Sequence, residues 1–590
     1  LPIAIGSRDQ IPLGADLSLI TQMNLAAEFA VRGVASGGGG AAATTAERFS
    51  SKPQLLVETD DAKTLAGKLQ KEGYEDAIAI TDNFVSCALP VMRIKKLIED
   101  DVGYLHSCPQ AFPQMERASV DLGLRTASGS RREIAQTGKG VLIGIVDTGF
   151  DLTHPAFLDA RKEIRVEALL DQTTGREYTQ NELNKAKSWP TPGNDLEGHG
   201  THVAAIAGGS EWNGCEGIAP GCTFLLVKAD PLKVSEAVHW IVTKAKNRPC
   251  VVNLSLGYHA GPHDGSNPLE RILDALSGPN RIFVVAAGND RDSRAHIRGD
   301  FHLEQQETFF FDIEPASGRG PRCQINAWHH PKDVFEAVLI TPSKERIAFP
   351  PVGYRSERKT KPLTVVTARR RWGWTDCVQV HTEIIFTDEV KSPSEISAWG
   401  IEFRCRQPHV GRLDVWIDKL AGFRNHPMLD QHGTIMIPAT SRSCIAVASY
   451  GTKSQWESDD GTQISSKCVV GRSSPFSSMG PTRDGRAKPD IAAPGEYITS
   501  ALATGCNAAT WRPRAWGGEQ RLLTLEGTSM SAPIVAGVVA LLMEKSKNLD
   551  PEKVRDALIK GASHDVYTGE DWDPAYGHGK INAEKALKYV

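Results

Sequence analysis

Apolar positions along this chain fall into three textures. Residues 1–32 hold one predicted helix, from about Asp16 to Arg32, capped by Asp16 and carrying Leu19, Ile20, Met23 and Phe29. The run Gly37 to Thr45, four glycines followed by alanines and threonines, has no side chains for a core and reads as a flexible linker. From Pro53 to Pro109 short elements alternate: a strand at Leu55–Val57, a helix from Asp61 to Glu72 ended by Gly73, strands at Ala77–Ile80 and Phe84–Leu89, a helix from Met92 to Asp100, and a strand at Val102–Leu105. That β-α-β-β-α-β order is the ferredoxin-like, split βαβ arrangement.

The second texture begins after Met115. Gly140 to Val146 is a continuous apolar run, the pattern of a strand covered on both faces of a parallel sheet. Thr223–Val227, Val251–Leu254 and Ile282–Val285 repeat it, with helices predicted at Thr201–Ala207 and Val234–Lys246. Between about Ser293 and Pro427 helical periodicity nearly vanishes, and six strand-like segments predict an inserted all-β module, a sandwich or jelly roll. The α/β texture resumes from Ile435, and a last helix starts near Ala583. The expected divisions are 1–52, 53–114, 115–292, 293–430 and 431–590. The fold class is α/β, with an N-terminal α+β domain and an inserted β domain.

Composition narrows the function classes. At 590 residues the chain exceeds one core. Its 67 Lys and Arg against 71 Asp and Glu give −4, which argues against a nucleic-acid binder held by a basic field. No apolar run reaches the ~20 residues of a membrane span. The first residue is Leu1, and no basic segment followed by an apolar core marks a signal peptide, which leaves secreted and cytoplasmic locations both open. The eleven cysteines are scattered and odd in number, unlike a disulfide framework; Cys215 and Cys222 are close enough to pair or to stay free. Arg369-Arg370-Arg371-Trp372-Gly373-Trp374 reads as a solvated strand edge rather than a nucleic-acid site. His329-His330 lacks further ligands at metal spacing and reads as a loop.

Chemistry concentrates at four places. Gly527-Thr528-Ser529-Met530-Ser531-Ala532-Pro533 delivers a serine onto the start of an apolar helix, where unpaired N–H groups and the dipole would stabilise an oxyanion. Asp147 ends the first buried strand, His199 opens a helix between two glycines, and Asn289 ends another buried strand. Each has an ordinary explanation: a helix cap for Ser529, a turn for Asp147 or Asn289, a loop for His199. Together they supply one nucleophile, one base, one carboxylate to orient the base, and one oxyanion donor.

These segments resemble the subtilisin-like serine peptidases, the subtilase family, whose catalytic order Asp…His…Ser is known from subtilisin itself. The resemblance rests on Val146-Asp147-Thr148-Gly149, His199-Gly200-Thr201-His202-Val203-Ala204 and Gly527 to Pro533. It also rests on Asn253 to Gly257, Ala286 to Asn289, Phe476 to Pro481, Lys488 to Gly495 and Tyr576 to Gly579. It covers about 140–290 and 433–590. It implies a doubly wound parallel sheet and a serine endopeptidase with Asp147, His199 and Ser529 as triad and Asn289 in the oxyanion hole. Ser255, Leu256 and Gly257 would pair with substrate backbone, and Ala287 and Gly288 would line the primary pocket. His202 would face the helix interior.

The resemblance further implies a protein or peptide substrate, no required cofactor, and no metal site identifiable in the sequence, although structural calcium occurs in the family. Residues 53–114 would be an autoprocessed propeptide acting as intramolecular inhibitor, its tail His106–Gln114 threading the cleft, with cleavage near Gln114 or Met115. The 330 residues between His199 and Ser529 exceed what compact members need, and the β module resembles the jelly-roll domain of clostridial germination proteases. The alternative functions are a pseudoprotease or regulatory binding protein on the same fold, and an esterase, which would want a second glycine after Ser529.

Overall fold

The computed structural model describes residues 54–58, 61–74, 77–79, 84–88, 104–107, 116–125, 132–186, 191–314, 322–360, 363–372, 377–386, 395–418, 421–457, 462–506, 515–516 and 521–590. The helices expected at 16–32 and 92–100 and the glycine-rich run lie outside them. The chain divides into two compact units, between Phe112 and Pro113.

The first unit holds β1 (Gln54–Glu58), α1 (Ala62–Lys71), β2 (Ile78–Ala79), β3 (Phe84–Ala88) and β4 (Tyr104–Ser107). The sheet is antiparallel with strand order β2-β3-β1-β4. Asp61 caps α1, accepting from the Thr64 amide at 3.0 Å. Ala62, Leu65, Ala66 and Leu69 form its buried stripe at helical spacing. The last strand corrects the sequence reading. It runs two residues further, pairing His106 with Leu56 and Ser107 with Leu55, so those two residues belong to the sheet rather than to a tail.

The second unit opens with α2 (Glu116–Asp121), β5 (Leu142–Asp147), β6 (Val166–Asp171), β7 (Arg176–Thr179), α3 (Gln180–Lys185), α4 (His199–Gly208), β8 (Thr223–Lys228), α5 (Val234–Ala245), β9 (Cys250–Leu254), α6 (Pro268–Leu276) and β10 (Arg281–Ala286). Eleven strands follow: β11 (His296–Asp300), β12 (Gln306–Ile313), β13 (Arg322–His329), β14 (Val334–Ile340), β15 (Arg346–Ala348), β16 (Arg355–Thr360), β17 (Leu363–Trp372), β18 (Cys377–Phe386), β19 (Trp399–Gln407), β20 (Arg412–Ile417) and β21 (Ala421–Phe423). The chain then forms β22 (Ile445–Gly451), β23 (Gln455–Glu457), β24 (Gln463–Ser465), β25 (Ile491–Glu496), β26 (Ile498–Ala501), β27 (Ala515–Trp516) and β28 (Leu522–Leu525). It closes with α7 (Thr528–Lys545), α8 (Pro551–Lys560) and α9 (Ala583–Leu587).

The main sheet has eight strands in the order β25-β22-β10-β9-β5-β8-β6-β7, parallel except at β7. Its central strands β5, β8, β9 and β10 are largely apolar because both faces are covered, and side chains alternate between two cores. Ile143 and Ile145 of β5 enter the core shared with α4 and α7, while Leu142 and Val146 enter the one shared with α5. In β10, Ile282 and Val284 face the first and Phe283 and Val285 the second. Helix α7 is the one described helix long and apolar enough to cross a membrane, yet 83% of it is buried in this core.

The inserted strands form two antiparallel sheets, β11-β20-β13-β18-β17-β16 and β15-β14-β19-β12-β21, around one core. Period-two patterns build it: Cys323, Ile325 and Ala327 from one sheet meet Phe309, Phe311, Phe335 and Leu339 from the other. The charged β16, Arg-Ser-Glu-Arg-Lys-Thr, covers β17 only over Leu363–Ala368, so Arg370–Trp372 pair with β18 alone and lie at a strand edge. His329 is a buried residue ending β13, with its ring 5.0 Å from Phe335, rather than a loop residue.

The outward face of the six-stranded sheet meets the α/β half through a ring stack. Trp416 lies between His263, 4.1 Å away, and His296, 4.5 Å away. Its indole donates to the Gly433 carbonyl at 3.0 Å, and all three rings are buried. Beside them the buried Asp414 accepts from Arg298 at 2.8 Å and Arg412 at 3.1 Å.

Candidate active site

The carboxyl ends of β5, β9 and β10 gather the predicted residues around the start of α7. Asp147, the last residue of β5, is buried, and its Oδ1 lies 2.7 Å from Nδ1 of His199, the first residue of α4. Nδ1–H therefore donates to the carboxylate, which leaves Nε2 as the free basic nitrogen. The close approach depends on Gly200, where a Cβ would come 2.2 Å from the Gly149 carbonyl and 2.9 Å from the Asp147 Cβ. Burial opposes protonation of His199, but the charge and hydrogen bond of Asp147, with Asp195 and Glu197 nearby, raise its pKa above the ordinary histidine value.

Ser529 sits in the first turn of α7, half-buried. Its hydroxyl lies 3.4 Å from the Ser255 carbonyl, and among the described residues it makes no hydrogen bond to His199. Such bonds often tighten only when substrate is bound. Pro533 has no N–H, so the Ser529 carbonyl loses its helical partner four residues on. The Ser255 hydroxyl takes that place at 2.9 Å.

Asn289 follows β10. Its Oδ1 accepts from the Thr528 amide at 2.9 Å and from the Thr528 hydroxyl at 3.0 Å. Because a backbone N–H can only donate, the amide orientation is fixed and Nδ2 must face the other way. A Cβ built on Gly527, whose φ is 149°, would stand 3.3 Å from Asn289 Nδ2 and 3.6 Å from the Ser529 nitrogen. Two donors thus converge on a space that glycine leaves open.

Two contributors escaped the sequence reading. Asp195 accepts from Gly198 N at 2.8 Å, Thr201 N at 2.9 Å and Thr201 Oγ1 at 2.7 Å, so it caps the helix that carries His199. Its signal was an acidic residue just ahead of a helix start. Thr528 orients Asn289 and also accepts from Gly288 N at 3.1 Å. His202 lies within the fold, bonded at 2.8 Å to the Leu523 carbonyl, and burial pushes its pKa down to about 3. Leu256 is half-buried and Gly257 exposed beside the cleft, while Ala287 and Gly288 are buried. Among the described residues no group of three or more His, Cys, Asp or Glu could hold a metal. Cys215 and Cys222 do not form a disulfide, and burial raises the Cys222 thiol to about 11.

The subtilase family profile matches residues 138–309 and 424–579, more than half of the chain. This chain belongs to the subtilase family. The gap in the match falls within the inserted strands. Among curated relatives, this subtilase is 35% identical over 154 residues to the serine protease AprX of Bacillus subtilis, covering 26% of this chain and 32% of that protein. It is 24% identical over 568 residues to the minor extracellular protease Vpr of Bacillus subtilis, covering 92% of this chain and 60% of that one. The chain thus spans less than two thirds of either. Among solved structures, the CspB protease of Clostridium perfringens is similar at 26% identity and a TM-score of 0.64, over 80% of this subtilase and 96% of that chain.

Proposed function

We propose that this subtilase is a serine endopeptidase with Ser529 as nucleophile, His199 as general base and acid, and Asp147 as the carboxylate that orients it. The observation that carries the reading is the 2.7 Å Asp147–His199 bond beside a serine at a helix start. Ser529 Oγ attacks the scissile carbonyl as its proton passes to His199 Nε2, and Asp147 stabilises the imidazolium. The tetrahedral oxyanion is held by Asn289 Nδ2 and the Ser529 N–H. His199 then protonates the departing amine, leaving an acyl-enzyme that water, deprotonated by His199, hydrolyses. Substrate backbone lies along Ser255, Leu256 and Gly257, with the residue before the scissile bond facing Ala287 and Gly288.

We further propose that the first unit is a ferredoxin-like propeptide that inhibits in cis and is removed near Gln114 or Met115, and that the insert is a jelly-roll-like domain. The antiparallel order β2-β3-β1-β4 supports the former, since it is the order a split βαβ unit generates.

Peptide hydrolysis by wild type and Ser529→Ala tests the catalytic reading. The variant should lose about 10⁶ in kcat, the scale known for the corresponding change in subtilisin; equal rates would refute it. N-terminal sequencing tests the propeptide. A new terminus near Met115 in wild type but not in Ser529→Ala is expected, and identical intact chains would contradict it.

A further inference from the structure

The segment Ile435–Ile437 bridges the two stretches that form the primary pocket in the reading above. Met436 N donates to the Ala287 carbonyl at 2.8 Å, and Ile437 exchanges two hydrogen bonds with Tyr258, each 3.0 Å. Its flanking side chains turn into the core: Ile435 is 1% exposed and Ile437 0%. Met436 alone of the three is half-buried.

Both pocket walls meet its side chain where they have none of their own. A Cβ on Gly288 would come within 2.5 Å of Met436 Cγ and 2.8 Å of its sulfur. A Cβ on Gly257 would come within 2.9 Å of Met436 Cβ and 3.4 Å of the sulfur. The thioether therefore occupies the depth between the walls. The buried Ser478 hydroxyl, held by the Asp290 amide at 3.1 Å, would stand 2.8 Å from the same Gly288 Cβ and closes the adjoining side.

We propose that Met436 is a specificity-determining residue: it shortens the primary pocket so that aromatic side chains are excluded from the position on the acyl side of the scissile bond. This rests on the endopeptidase reading. Methionine is unbranched and polarizable, so it fills such a gap without strain. Apolar volume in a pocket of this kind is worth about 10- to 200-fold in kcat/KM per methylene.

The test is a peptide series differing only at that residue, alanine against phenylalanine, with wild type, Met436→Ala and Met436→Phe. Fluorophosphonate labelling of Ser529 in each protein serves as the check of an assembled site. Wild type should favour alanine at least tenfold. Met436→Ala should raise the phenylalanine-to-alanine ratio of kcat/KM at least tenfold, and Met436→Phe should lower it. Wild type that labels and cleaves equally well after phenylalanine overturns the pocket assignment alone, without any variant. So does a ratio unchanged in variants that label. Wild type that does not label at all removes the endopeptidase reading, and the assignment with it.

Discussion

At the scale of single residues, the site depends on small groups that fix the orientation of larger ones. In the proposed mechanism Asn289 aims its amide at the oxyanion, an orientation set by Thr528, which occupies its carbonyl oxygen from two directions. Asn289→Ala should lower kcat by about 10²–10³ with little change in KM, the loss known for the matching donor in subtilisin, read by steady-state peptide hydrolysis. Thr528→Val keeps the backbone donor but removes the hydroxyl, and about 1 kcal/mol of positioning, or several-fold in kcat, should go with it. His199 adds a pH dependence. Its base form is the neutral one, and its pKa is raised, chiefly by Asp147 against the effect of burial. Activity should therefore be lost as pH falls through a value above the ordinary ~6.5, and the acid limb of kcat/KM against pH should lie above that point.

At the scale of elements, the sequence was most legible where one local pattern had one cause. Nearly continuous apolar runs marked β5, β8, β9 and β10 within about two residues, because strands covered on both faces leave few polar positions. What stayed hidden depended on partners far apart in sequence. Asp195 and Thr528 act through hydrogen bonds that spacing does not reveal, and β16, which covers only the first part of β17, was not anticipated because pairing, not composition, decides which strand is outermost. The Lys488-Pro489-Asp490 segment likewise carried family resemblance without a stated role, and the structure supplies one. Asp490 accepts from the Ala446 amide of β22 at 2.7 Å, from Lys488 at 2.5 Å and from Arg555 of α8 at 2.8 Å. Burial raises its pKa, but the charges of Lys488 and Arg555 and the hydrogen bonds more than offset this, so the net shift is downward. With the folded value below the unfolded one, the pair stabilises the fold above the ordinary carboxylate range, and that stability disappears as pH falls through the depressed pKa. Asp490→Ala, which leaves Lys488 buried without its partner, should cost about 3–5 kcal/mol in urea unfolding at neutral pH.

At the scale of the whole molecule, an α/β half with a serine-protease-like cleft carries an inserted pair of sheets without breaking its own sheet, since the insert leaves after β10 and returns before β22. The stack of His263, Trp416 and His296 joins the two. Burial holds the His263 pKa well below its ordinary value. Trp416→Ala should cost about 3–5 kcal/mol, seen as a lower denaturant midpoint, and a cost below about 1 kcal/mol would show that the halves are joined by other contacts. Whether this arrangement makes Ser529 a nucleophile is read by intact-mass detection of fluorophosphonate on the protein after release of residues before about 115 by mild proteolysis. One phosphonyl group per chain is expected on Ser529, lost in Ser529→Ala and slowed by orders of magnitude in His199→Ala. A wild-type chain that takes up no label, or takes it up equally in Ser529→Ala, would contradict it.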